Sequence, residues 1–428
     1  MPSRRSILKH SLAALTSLGL EVRSHAQDDL PGSIETAHRE IWRRFIDKHQ
    51  VMIDFTMLDG SVSIPTPEEC RLGKPNALGW WSPIENGAMF NGLYMDAAVN
   101  RWRVTHKDED ADKARKLAEG LMFLSSLSDV KGFVARGVST DDRSHYPMGS
   151  NDQTLPWFLG LWRYLGSGLA GKEERRRVIA KMVETAEAII SLKWQMPAEP
   201  PFGIRGGFGG FTFESAPRLL FVTKALHQIT GDPKWDTMYH AAVAERGGRD
   251  NRSRLELCEQ GMVFESSHRH SWTSSCCVGS IRALWEMEAD EALHNAYAIG
   301  LEASARLAME SLPLAQQFRH DDPRTFDPDW RKLNDAWKPQ ATEKEAQEVA
   351  EVQSKNLGKL APRRTMEFYF MREPVFAAWI VTLAPDKTLL QQRRPEIEKV
   401  LRHYRCDQIY YSQFFPIESA WWRLQLRD

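Results

Sequence analysis

The strongest constraint on the fold is a repeat. An apolar helix, a short polar turn and a charged amphipathic helix succeed one another five times along the chain. The unit reads "NGLYMDAAVNRWRVTHKDEDADKARKLAEGLMFL" and then "LPWFLGLWRYLGSGLAGKEERRRVIAKMVETAEAII". It returns as "APRLLFVTKALHQITGDPKWDTMYHAAVAE", "CVGSIRALWEMEADEALHNAYAIGLEASARLAM" and "PVFAAWIVTLAPDKTLLQQRRPEIEKVLRHY". Apolar residues recur at helical spacing, and strand-like alternation is scarce. The first helix of each unit is apolar nearly all round and must be buried; the second has one polar face and must lie outside it. Two helices stand unpaired, a charged amphipathic one over residues 34–59 and an apolar one over 417–426. Paired, they make a sixth hairpin and close a ring of about twelve helices, in which every repeat buries its face on a neighbour. The predicted fold class is all-α, an (α/α)6 toroid over residues 27–428.

Turns inside the hairpins are short, as at Thr230-Gly231-Asp232-Pro233. The connections from outer to next inner helix are long: residues 60–85, 130–152, 194–214, 246–273 and 312–373. Long loops with little structure of their own tend to carry function. These must gather on one face, above the N-termini of the inner helices. The last contains a charged helix over residues 343–356, read as a solvated spacer rather than a lid.

Composition narrows the class. The 428 residues carry a net charge of −1, so no basic surplus points to nucleic acid. Fifteen tryptophans are many for this length and leave some to stack on sugar rings. The N-terminus, "MPSRRSILKHSLAALTSLGLEVRSHAQDD", has a basic start, a short apolar run and a small-residue end. That run is too short to span a bilayer. Ser3 to Lys9 resembles the twin-arginine export signal, which predicts cleavage after Ala26, passage through the twin-arginine machinery, and a periplasmic or secreted protein without a membrane segment in its mature form. Five cysteines, two of them adjacent, do not make a disulfide framework and are expected to be free and buried.

The inner helices begin "WWSPIENGAMF", "GSNDQTLPWF", "FTFESAPRLLF", "FMREPVFAAW" and "FFPIESAWWRL". Each joins a proline to an acid: Glu85, Asp152, Glu214, Glu373 and Glu418. Proline and acids both suit a helix N-terminus, so each acid has an ordinary reading as a cap. Capping does not explain their convergence on one mouth, where crowded like charges raise some pKa values and a site obtains both an acid and a base. The loops add aromatic faces at Trp80, Trp81, Tyr146, Phe208, Trp272 and Tyr411. They add arginines for a carboxylate at Arg136, Arg205, Arg364 and Arg372. Asn86 and Asn151, beside the first two acids, join the substrate-binding set. His268 and His270 lie near Cys276 and Cys277, but the spacing matches no closed zinc site, so no metal is expected and the histidines are read as sugar contacts. The glycine-rich "GIRGGFGG" lacks the dinucleotide spacing, and no cofactor is expected.

Hairpins turned by segments such as "ITGDPKW", with acids at inner-helix starts, resemble the six-hairpin glycosidase-like superfamily over the whole mature chain. The nearest likeness within it is to the unsaturated glucuronyl and rhamnogalacturonyl hydrolases. That resemblance implies an exported glycoside hydrolase on a uronic-acid-containing carbohydrate. Asp152 would be the general acid/base and Glu85, where those families have aspartate, or Glu214 its partner. A polysaccharide lyase is the alternative, with His145, Tyr146 or His270 as base and acid and Asn151 or Arg136 neutralising the uronate. A non-catalytic glycan-binding protein is the third reading.

Overall fold

The computed structural model describes residues 29–264 and 271–426. The export signal read over residues 1–26 and the two histidines His268 and His270 lie outside them. α1 (Leu30–Glu40) and the short α2 (Pro67–Leu72) precede the first hairpin, α3 (Gly87–Thr105) with α4 (Asp108–Leu124). Next come α5 (Asn151–Ser167) with α6 (Lys172–Ser191), and α7 (Ala216–Thr230) with α8 (Pro233–Ala244). α9 (Arg254–Gln260) lies in a loop before α10 (Ser271–Met287) and α11 (Glu291–Ala308). α12 (Glu343–Leu360) and α13 (Pro362–Glu367) lead to α14 (Glu373–Thr382), α15 (Lys387–Leu401) and α16 (Pro416–Gln425). Among the described residues the only strands are two small antiparallel pairs, β1 (Gln195–Pro197) with β2 (Ile204–Gly207) and β3 (Arg246–Gly247) with β4 (Arg252–Ser253). The fold is all-α.

The apolar helices contact one another in a cyclic order: α3 packs on α5, α5 on α7, α7 on α10, α10 on α14, α14 on α16, and α16 returns to α3. Each is backed by a partner, α4, α6, α8, α11, α15 and α1 respectively. This is the neighbour order expected of six hairpins. The hairpin turns share one local device. Asp232, Asp290 and Asp386 each cap the following outer helix by accepting a hydrogen bond from a backbone N–H of its first turn. All five cysteines are free and buried. No described helix is long and apolar enough to cross a membrane.

Two expectations change. The helix read over residues 34–59 stops early: α1 ends in a π-helical turn, Ile41–Phe45, and the chain then runs extended. The buried run from Val51 to Phe55 is tied by backbone bonds instead, Ile53 N to Phe45 O at 2.9 Å, Asp54 N to Pro83 O at 2.8 Å and Thr56 N to Tyr410 O at 3.0 Å. Partners outside the segment replaced the helical ones. The charged helix α12 is no solvated spacer either. Gln353, fully buried on it, donates to Pro75 O and accepts from Asn76 Nδ2, and Ala350 O accepts from Trp81 Nε1.

At the far end of the ring, the C-terminal parts of the inner helices are joined by ions. Asp96 on α3 takes Arg423 at 2.6 Å and Arg163 at 3.2 Å, and Glu286 on α10 takes Arg163 and Arg282, both at 2.8 Å. The tightest crossing is α3 on α5. A Cβ at Gly92 would come within 2.0 Å of the Pro156 carbonyl oxygen, and Gly160 faces Gly92 in turn. Because the crossing helices carry Glu85 and Asp152 at their starts, Gly92 sets the relation of those two acids as well. Gly92→Ala should lower stability by about 1–3 kcal/mol, the usual cost of overpacking a close-packed contact, read as a fall in the urea midpoint with the slope unchanged.

Candidate functional site

The long loops and inner-helix starts enclose a cavity of about 500 Å³. Its wall includes Asp54, Trp80, Trp81, Glu85, Asn86, Arg136, Asp152, Trp272, Arg364, Phe368, Arg372, Glu373, Tyr411 and Gln413, with Ser354 and Gly358 of α12. The N-termini of α3, α5, α10 and α14 thus meet there, and their positive dipole ends favour anions in the cavity.

Asp54 is the acid that sequence reasoning missed. It sits within "VMIDFT", a run read as outer helix, where an acid with apolar neighbours on both sides was the available signal. Its side chain is 2% exposed and accepts from Asn86 twice, Oδ2 from the backbone N at 2.8 Å and Oδ1 from Nδ2 at 2.7 Å. Burial pushes the Asp54 carboxyl well above the usual range, and the neighbouring Glu85 adds to it. Glu85 is held by its own loop, Oε2 accepting from Trp81 N at 2.7 Å. That turn requires a left-handed Trp81, with φ 72°, a conformation costly for a large side chain.

Asp152, the second residue of α5, faces Arg218 of α7, whose Nη2 lies 2.9 Å from Oδ1. The Asp152 side chain keeps half its surface open, whereas Arg218 is only 2% exposed. Glu214 shares that arginine at 3.5 Å but does not line the cavity. Glu373 does line it, yet both its oxygens accept from Ser271 N at the start of α10, and Oε1 also accepts from Ser311 Oγ, so it caps a neighbouring helix rather than its own. Glu418 is sealed elsewhere, among His38 and Tyr94.

The arginines divide into two kinds. Arg136 is framework: it donates to Met148 O, Glu85 O and Ser150 Oγ, joining the loops before α3 and α5. Burial brings it down to about 9, with the like charge of Arg205 contributing. Arg205 lies over Trp80 and 3.9 Å from Glu343, off the cavity wall. Arg364 and Arg372 form no ion pair among the described residues. Arg364 lies 3.8 Å over Phe368 and 4.8 Å over Trp81. Arg372 lies 3.8 Å over Phe368 and 4.2 Å over Trp272, and donates to Gln413 Oε1. Desolvation brings Arg372 down to about 9, and Arg364 beside it adds to the shift. Phe368 and Arg372 belong to a π-helical turn, Phe368–Arg372, between α13 and α14.

Of the residues proposed from sequence, the cavity brings together Glu85, Asp152, Trp80, Trp81, Asn86, Arg136, Trp272, Arg364, Arg372 and Tyr411. It does not include His145, Tyr146, Asn151, Arg205, Phe208 or Glu214. Tyr146 is 1% exposed and donates to Lys74 O, and Phe208 is fully buried, because both apolar rings fill space beneath the loops rather than above them. His145 is spent on Glu199, 3.1 Å away, in a pairing that raises its pKa.

No protein-family model matches the sequence, and no curated protein matches it either. One solved structure, titled a polysaccharide lyase, aligns over 78% of this chain and 89% of that chain with 11% identity and a TM-score of 0.38. A likeness of that degree bears on neither fold family nor chemistry.

An acid with a raised folded-state pKa contributes stability that is fully present below its unfolded value, about 4, and lost as pH rises through the folded value. Asp54→Asn, neutral throughout, keeps no such dependence. Its stability relative to the native protein should therefore rise as pH is taken upward from about 4, measured by urea unfolding at a series of pH values. A difference that stays flat would show that Asp54 titrates normally.

Proposed function

We propose that the protein is a glycoside hydrolase acting on uronic-acid-containing oligosaccharides, with carboxylates as acid and base. The observation that carries the reading is the charge division within one cavity. Asp54, Glu85 and Asp152 enter it from the segment after α1 and the starts of α3 and α5, and two arginines without ion-pair partners among the described residues enter from the α13–α14 junction. Arg218, itself buried, sets a fixed cation 2.9 Å from Asp152 Oδ1. Burial, with the charge of Glu85 nearby, pushes the Asp54 carboxyl well above its usual range, so Asp54 resists ionisation. In this reading Asp152 is the general acid/base and Glu85 its carboxylate partner, with the buried Asp54 beside them. Trp81, Trp272 and Tyr411 supply faces for pyranose rings, and Arg364 and Arg372 take the role of carboxylate binding first shared among four arginines.

The same residues serve displacement at the anomeric carbon or hydration of an unsaturated uronate. Among the described residues the lyase bases read from sequence are not at the cavity: His145 and Tyr146 lie off it. Burial raises the phenol of Tyr411, against its acting as a base, and His270 lies outside the described residues. The proposal includes residues 1–26 as a twin-arginine export signal, and with it a periplasmic or secreted enzyme.

Incubation with uronate oligosaccharides, followed by absorbance of the 4,5-double bond, separates the chemistries. Loss of absorbance marks hydration, reducing-sugar release without change marks direct displacement, and a gain of absorbance would replace the hydrolase by a lyase. Asp152→Asn should lower kcat by about 10²–10⁴ with the thermal midpoint little changed, since the amide oxygen can still accept from Arg218 and Glu214 stays beside that arginine. Unfolding of that variant with full specific activity in the remainder would reduce Asp152 to a cap.

A further inference from the structure

Arg364, Phe368 and Arg372 are spaced four residues apart across the junction of α13 and the π turn, so their side chains share one stripe. Each guanidinium carbon is 3.8 Å from the centre of the Phe368 ring. At that distance the group must lie nearly flat, because an edge-on guanidinium would drive a nitrogen into the ring. Two flat guanidiniums cannot share one face without overlapping. They therefore cover opposite faces of Phe368, with their charges roughly twice 3.8 Å apart. Trp81 lies beyond Arg364, at 4.8 Å, and Trp272 beyond Arg372, at 4.2 Å. The series is aromatic, cation, aromatic, cation, aromatic.

Such stacking uses up the faces of both guanidiniums and leaves their edges, where all five N–H donors lie. One edge of Arg372 meets Gln413, a neutral partner. No carboxylate of the described residues pairs with either group, although four acids line the same cavity. Two cations held at fixed spacing, both lining the cavity and neither in an ion pair with a described carboxylate, make a site for two anions rather than one.

We infer that the cavity selects substrates carrying two oxyanionic groups about one sugar residue apart, as in consecutive uronates, with one group on the edge of Arg364 and the other on the edge of Arg372. The inference rests on the uronate reading above and adds that a single uronate beside a neutral sugar is the poorer ligand. Phe368 is the spacer that sets the distance, and the tryptophans hold the two forks in register.

The test is binding, read by tryptophan fluorescence, since Trp81 and Trp272 flank the arginines. An Asp152→Asn background prevents turnover. The ligands are a diuronide, a disaccharide of one uronate and one neutral sugar, the same disaccharide sulfated on the neutral sugar, and a neutral disaccharide. The diuronide should bind at least about tenfold more tightly than the single uronate at low salt. Arg364→Met and Arg372→Met should each bring the two to within about threefold, and Arg→Lys at either position should restore part of the difference, because charge returns without the fork. Binding of the sulfated disaccharide like the diuronide would support two oxyanion positions that read charge. Equal binding of diuronide and single uronate, or an effect from only one arginine, would overturn the inference while leaving the uronate reading intact. If no uronate binds better than the neutral disaccharide, the proposed function itself fails. Unchanged circular dichroism and thermal midpoints confirm that the variants remain folded.

Discussion

The ring depends on its closure between the first and last helices. Glu418 of α16, 1% exposed, holds His38 of α1 at 2.8 Å and Tyr94 of α3 at 2.6 Å, and Lys113 of α4 reaches the other nitrogen of His38. The first hairpin, α1 and α16 are thereby joined around one buried carboxylate, with α1 and α16 from opposite ends of the described chain. Beside it, Arg44 leaves the π turn after α1 to bind the carbonyls of Cys406 and Ile409. Removing one member of such a buried charged set leaves the rest unpaired, which costs far more than the pair itself returns. The closure also builds the site, because it brings the extended run with Asp54 against the segment with Tyr411 and Gln413.

The repeat made the helices legible. Fifteen consecutive buried residues of α3, from Gly87 to Arg101, are what an all-round apolar helix must become. Asp232, Asp290 and Asp386 stand where a polar turn between two helices calls for a cap. What pattern could not reveal was where backbone partners come from outside a segment. Residues 46–59 have helical periodicity, yet the chain there takes its bonds from residues 83 and 410, far along the sequence. Asp54 was hidden by that error.

Among the candidate site residues, acids at helix starts were visible and their fates were not. Asp152, Glu214, Glu373 and Glu418 look alike in sequence. One faces the cavity with a buried arginine behind it, one shares that arginine from outside, one caps a neighbouring helix and one closes the ring. Arginine shows the same ambiguity. Arg136 spends its donors on carbonyls and a hydroxyl, whereas Arg364 and Arg372 stack on rings, and Arg372 gives one donor to the neutral Gln413. Neither composition nor spacing reports whether a donor is already spent, since that depends on loops meeting in space.

The path of the chain through Asp54 has a consequence in time. Asp54 O accepts from Ser412, 358 residues further on, and Phe55 bridges to Tyr411. Contacts of such separation carry a large loop-closure cost and are made after local ones. Individual hairpins can form while the rest of the chain is still being synthesised; the cavity cannot. It comes into being only when the residues around 410 to 425 have been made and have returned to the beginning.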